Sequence, residues 1–210
     1  MTGDKIFVVK FNKYSINISI IALIMLNAVF VRPVGIFDNW FNKAVSYMTK
    51  GDYCHSEFVF TWTKEEAESF FSEIEGHDRF KDNYTLYLED GKLHLCFYIL
   101  WGDVLSYRLL KYQHNNPFYR MMDKSQASFV KINTNHDMEK KLGKFLLSQC
   151  GKAYDYTAAV LHFVPFRKSS SEYDEYYCSE LMVCALQQCR MLMNVNPSGV
   201  TPNYLYKLLT

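Results

Sequence analysis

YYCSELMVCALQQ, residues 176–188, reads as a helix whose first turn carries a cysteine. Cys178, Leu181, Met182, Ala185, Leu186 and Cys189 recur at the i, i+3, i+4, i+7 spacing of one apolar helix face. Acidic residues and tyrosines precede the run, which opens abruptly. A thiol at a helix N-terminus faces unpaired backbone N–H groups and the positive end of the macrodipole. Both favour the thiolate, the nucleophilic form of cysteine. A cysteine on an apolar helix face also serves simply as small core packing. A catalytic reading therefore needs a base supplied from elsewhere in the chain.

Working outward, the 210 residues suit one domain with at most an appendage, and with nearly half of them hydrophobic a full core is within reach. The charge is balanced, 23 basic against 22 acidic residues, with no long run of either sign. Nucleic acid is thus not expected as a partner, because phosphate binding leaves a basic stripe. Six cysteines occur without a C-x-x-C or a zinc-like Cys/His spacing, so mostly free thiols, with a disulfide through Cys184 or Cys189 left open, a reducing compartment and no metal or other cofactor are expected. The stretch from Tyr14 to Val31, YSINISIIALIMLNAVFV, is uncharged. It is short for a membrane span and is interrupted by Asn17, Ser19 and Asn27. Its β-branched alternation suits buried strands better than membrane contact.

The elements in order are mixed. Strands are expected over 6–11 and 18–31, and then a helix over 36–49 with Ile36, Trp40, Ala44, Val45 and Met48 inward. A strand over 53–62 carries His55 and Glu57 on one face, since alternate strand residues point the same way. Thr63 with Glu66 forms a capping box that opens a helix burying Ala67, Phe70, Phe71 and Ile74. Asp90-Gly91 supplies a two-residue hairpin turn between strands 84–89 and 92–100. Further strands are expected over 104–110 and 128–133, a helix over 137–150, a polar Ser-rich loop over 166–176, and a last short helix capped by Thr201-Pro202. The sum is α+β, an antiparallel sheet with helices packed to the side. Residues 1–32 read as N-terminal strands or an apolar extension, and 33–210 as the domain.

Nucleophilic thiol chemistry needs a thiolate, a neighbouring base, a group that orients the base, and donors for the oxyanion. Of six histidines, His55 at the head of an apolar strand is the best base. Glu57 on the same strand face can hold its imidazole, with His94 on a neighbouring strand as the alternative. Tyr177 and Tyr154 are candidate hydroxyl donors to an oxyanion. Each has a plain structural alternative: an edge histidine bonded to backbone, an exposed carboxylate, a core tyrosine.

Three motifs in this order carry a resemblance: Cys-His-Ser-Glu-Phe-Val-Phe at 54–60, Gly-Lys-Ala-Tyr-Asp-Tyr at 151–156 and Tyr-Tyr-Cys-Ser-Glu-Leu-Met at 176–182. Together with the closing Pro-Ser-Gly-Val-Thr-Pro-Asn-Tyr-Leu they resemble the circularly permuted papain-like group of the NlpC/P60 superfamily. The likeness runs from about Phe30 to Leu209. Cys54 before the histidine and the helix over 64–75 are departures from that group. The resemblance implies a permuted papain-like fold, Cys178 as nucleophile and His55 as base. It implies a cysteine peptidase, amidase or acyltransferase acting on an amide or thioester, with peptide, peptidoglycan-fragment or lipid-linked acyl substrates. The Asn-, Tyr- and Phe-rich composition resembles the group's large-DNA-virus branch. There the alternative is a non-enzymatic virion component, such as a minor capsid protein that keeps the fold and binds other virion proteins. The expected location is cytoplasmic or virion-associated.

Overall fold

A computed structural model describes residues 25–74, 91–100, 102–110, 126–161 and 175–210. Five strands form one antiparallel sheet: β1 (Met25–Val31), β2 (His55–Thr63), β3 (Lys92–Tyr98), β4 (Ser106–Leu110) and β5 (Ala127–Ile132), in the order β4-β3-β2-β1-β5. Six α-helices accompany it among the described residues: α1 (Trp40–Met48), α2 (Lys64–Ser72), α3 (His136–Gln149), α4 (Tyr156–Leu161), α5 (Cys178–Gln188) and α6 (Pro202–Leu209). The protein is thus α+β. None of these helices is long and apolar enough to cross a membrane. The expected strands over 6–11 and 84–89, the segment 14–24 and most of the loop 166–176 lie outside the described residues.

β1 lies inside the sheet, between β2 and β5. A division of the chain at residues 32 and 33 therefore separates a strand from the sheet it belongs to. Its register on β2 sets Val31 opposite His55 and Val29 opposite Glu57. On the other face of the sheet Leu26, Ala28, Phe30, Phe58, Phe60, Trp62, Leu93, Leu95 and Phe97 are buried under α2, α3 and α5. Alternation thus sorts two sets of side chains. Large rings fill the helix-covered core, and the polar pair His55 and Glu57 lies on the face shared with Val29, Val31 and Cys96.

The expected capping box is present, with the Thr63 hydroxyl accepting from Glu66 N and the Glu66 carboxylate accepting from Thr63 N. α2 buries Ala67, Phe70 and Phe71 as its spacing predicts. Gly143 of α3 lets the Phe70 ring approach closely, since a β-carbon there would stand 3.0 Å from it. Two helices depart from expectation. The segment 36–49 begins with a 3₁₀ turn, Gly35–Phe37, and restarts at the Asn39 cap. That break rotates the face, and Trp40 and Met48 stand 74% and 51% exposed while Val45 is buried. α5 is buried on every side from Cys178 to Leu186 rather than along one stripe. A buried carboxylate, Glu139 on α3, is satisfied by the Trp62 indole N–H at 2.9 Å and the Thr134 hydroxyl at 2.7 Å.

Candidate active site

Cys178 is the first residue of α5. Tyr177 before it is extended (φ −105°, ψ 166°), and no side chain caps the helix. The first intrahelical bond runs from Leu181 N to Tyr177 O, so the N–H groups of Cys178, Ser179 and Glu180 head the helix without an i−4 carbonyl. The helix start is fastened by its flanking polar residues. The Ser179 hydroxyl donates to Val200 O (2.6 Å), Ser198 Oγ donates to Glu180 Oε1 (2.9 Å), and the Tyr177 hydroxyl donates to Pro197 O (3.1 Å). The Tyr-Cys-Ser-Glu run is thus largely an anchoring device that aims one thiol.

The thiol is aimed at His55. The two side chains are close enough to shift each other's titration, and both are buried, 4% and 5% exposed. The other side of the imidazole is held by Glu57, whose Oε1 lies 3.0 Å from Nε2. That leaves Nδ1 as the ring nitrogen free to serve the thiol. Glu57 is itself supported on its second oxygen. Cys96 donates its S–H to Oε2 at 2.9 Å and Arg108 donates from Nη2 at 3.2 Å. Sheet register explains the assembly, because Arg108 on β4 is paired with Cys96 on β3, which neighbours the Glu57 end of β2. The guanidinium lies over the Tyr98 ring, 4.1 Å from its centroid, and Phe37 stacks on the His55 ring at 5.3 Å.

The electrostatics run along this line. Burial pushes the Cys178 thiol up, but the adjacent His55, with a smaller contribution from Ser56, outweighs it and holds the thiol below its ordinary range. Burial disfavours a charged His55, yet the Cys178 sulfur and then Glu57 raise it to about 9. For Glu57, burial is outweighed by His55, Arg108 and Cys96, and the carboxyl is held below its usual value. Arg108, Glu57, His55 and Cys178 thus form a chain in which each group favours the charged form of the next. The other cysteines behave differently. Burial pushes Cys150 up to about 11, and it also raises Cys54, Cys96 and Cys189. All six cysteines are free thiols.

Tyr154 lines the same hollow as Cys178 and is placed there by a second, parallel pairing. β6 (Ala153–Tyr154) pairs with β7 (Glu175–Tyr176), which places the Gly-Lys-Ala-Tyr-Asp segment beside the approach to Cys178. Burial and the neighbouring Cys178 raise the Tyr154 hydroxyl, so it keeps its proton and remains a donor. The Tyr177 hydroxyl, the other expected oxyanion donor, gives its proton to Pro197 O at 3.1 Å. His94 is also apart from the site: its Nδ1 meets the Thr61 hydroxyl at 3.0 Å, and burial lowers it. His77, His114 and His162 lie outside the described residues.

Three contributors escaped sequence reasoning. Arg108 and Cys96 bear on Glu57 only through strand register. Asn203, at 5% exposure, clamps the turn before β2: its Oδ1 accepts from Tyr53 N (2.9 Å), and its Nδ2 donates to Tyr53 O (2.8 Å) and to Thr49 Oγ1. Its signal was the Thr-Pro-Asn run at the head of α6, where an Asn inside a first turn is out of place unless its amide bonds elsewhere. Gly51 makes room for it, because a β-carbon there would fall 2.3 Å from Asn203 Oδ1.

Two hollows adjoin the pair, sharing Cys54 and Tyr154 as a wall. One of about 200 Å³ reaches His55; the other, about 10 Å³, reaches Cys178. No protein-family model matches the chain, and no curated protein or solved structure matches it.

Proposed function

We propose that the protein is a papain-like thiol hydrolase or acyltransferase of the permuted NlpC/P60 arrangement, acting on an amide or thioester. The observation that carries this reading is the buried neighbourhood of Cys178, at an uncapped helix start, and His55, whose Nε2 lies 3.0 Å from Glu57 Oε1. Nucleophile, base and orienting group stand in line, as acyl transfer requires. The order of elements, histidine strand first and cysteine helix later, suits the permuted group. The free thiols suit a reducing compartment.

In the first step Cys178 Sγ adds to the substrate carbonyl carbon. The oxyanion is met by the N–H groups at the head of α5 and the Tyr154 hydroxyl. The carbonyl re-forms as the C–N or C–S bond breaks, and His55 Nδ1–H protonates the leaving amine or thiol. Water or an acceptor then attacks the thioester, giving its proton to His55, and the thiolate departs. Glu57 keeps the ring oriented and balances the imidazolium throughout.

The test is alkylation by iodoacetamide against pH, read at each cysteine by mass spectrometry. Cys178 is expected to react well below pH ~8.5, the ordinary thiol value, and His55→Ala to abolish that advantage. Cys54, Cys96 and Cys150 serve as internal references. Reaction of Cys178 indistinguishable from theirs, or unchanged in His55→Ala, refutes the ion pair and the function built on it.

A further inference from the structure

The hollow of about 200 Å³ has a definite place in the reaction, and its occupant can be named by class. It reaches His55, and the imidazolium is the group that protonates what leaves. The half of the substrate beyond the scissile bond must therefore lie on the His55 side of the sulfur. The acyl half belongs to the Cys178 side, where the hollow, about 10 Å³, admits little more than a water.

Size and lining narrow the occupant further. A dry cavity of about 150 Å³ accepts benzene, whereas pockets for drug-sized ligands run to about 300–1,000 Å³. The space here fits one aromatic or branched aliphatic side chain and is too small for a long acyl chain. Phe37, Phe41 and Leu100 supply apolar walls, the first already stacked on the His55 ring. Asn39 and Asn42 line the same hollow. Asn39 Oδ1 is committed to Asn42 N, and Asn42 Nδ2 to Phe37 O. The Asn39 NH2 and the Asn42 Oδ1 are a donor and an acceptor, the complement of one peptide unit.

We infer that this hollow is the leaving-group subsite, and that it selects a peptide whose first residue after the scissile bond is aromatic or branched aliphatic. The inference rests on the thiol mechanism proposed above, and its experiment separates the two. Cys178 is acetylated with p-nitrophenyl acetate: sulfur attacks the carbonyl, p-nitrophenolate leaves, and a thioester remains that intact-mass spectrometry detects. Acceptor amines are then offered in competition: the amides of Phe, Leu, Ala, Lys and Glu, with glycerol and a simple thiol alongside. An amine that fits attacks the thioester, gives its proton to His55 and leaves as the N-acetyl amide, releasing the thiolate.

Phe-amide and Leu-amide are expected to be acylated at least about tenfold faster than Ala-amide, the usual discrimination of an apolar pocket. Leu100→Trp, which fills the hollow, is expected to erase that preference. Equal use of all amines, preference for Lys- or Glu-amide, preference for glycerol or the thiol, or hydrolysis alone each overturns the subsite assignment and leaves the nucleophile standing. Absence of an acetyl group on Cys178 overturns the mechanism and the subsite together.

Discussion

Arg108→Met tests whether the chain of groups from Arg108 to Cys178 is the working unit of the site. Methionine keeps the length of the side chain and can still pack against Tyr98, so the change removes charge and one hydrogen bond with little loss of volume. What remains is the Glu57 carboxylate, 2% exposed, with His55 and the Cys96 thiol as partners. At the observed 3.2 Å the Arg108–Glu57 attraction is about 5 kcal/mol gross for an effective dielectric of ~20. Solvent screening matters here, because the Arg108 side chain keeps 15% exposure. Removing one member of a buried pair costs about 3–5 kcal/mol, and the two partners left to Glu57 argue for the lower end, about 3 kcal/mol. For a chain of this size that corresponds to a loss of about 6–12 °C in Tm.

The same change reaches the thiol through two contacts. Without Arg108, Glu57 takes up a proton at higher pH, His55 loses its anionic partner, and the thiolate fraction of Cys178 falls. The alkylation profile of Cys178 therefore moves to higher pH, a shift that a purely structural role for Arg108 does not produce. The assay pairs urea denaturation with site-resolved alkylation for Arg108→Met, Glu57→Gln and the double variant. If the carboxylate's charge is what Arg108 serves, the double variant is destabilised by less than the sum of the singles. Arg108→Lys, which keeps the charge, restores part of the profile. Strict additivity, a loss under ~1 kcal/mol and an unmoved Cys178 profile would together refute the charge-line account, a loss that size being ordinary for a surface pair.

Two further perturbations follow from the same geometry. His55 is raised to about 9, so its proton is retained below the ordinary imidazole value and up to that pH, and is lost above it. Turnover of an amide substrate should therefore fall above about pH 9, as the acid that protonates the leaving amine disappears. Alkylation of Cys178 by iodoacetamide needs no acid and should not fall there; a parallel fall in both would separate His55 from the leaving-group step. In the clamp before β2, Gly51→Ala drives a methyl into the Asn203 amide and is expected to cost about 2–3 kcal/mol, the value of two or three buried hydrogen bonds. In an Asn203→Ala background the same substitution should be nearly neutral, and equal costs in both backgrounds by denaturant titration would show that Asn203 is not what Gly51 accommodates.

What could be read in the chain and what could not divides by distance along it. The helix carrying Cys178, the Thr63–Glu66 box, the alternation of Leu93, Leu95 and Phe97 and the Thr201-Pro202 cap are signals spanning a few residues, and each appears in the structure as an element. The pairing of His55 with Glu57 was legible too, because it is an i, i+2 relation within one strand. Arg108 lies 51 positions from Glu57 and Asn203 lies 150 from Tyr53, and only strand register and the docking of α6 bring them together. Trp40 was misread for a related reason: a 3₁₀ turn ahead of the Asn39 cap resets the helix face, and no periodicity count crosses such a break. The local signals name a nucleophile and a base. They do not say whether a buried thiol and a buried imidazole can be charged at the same time, since that depends on a carboxylate that must stay ionised away from water. Its ionisation depends in turn on a cation two strands away. In the proposed mechanism the long-range partners are therefore what would separate a working thiolate–imidazole pair from two side chains that merely pack.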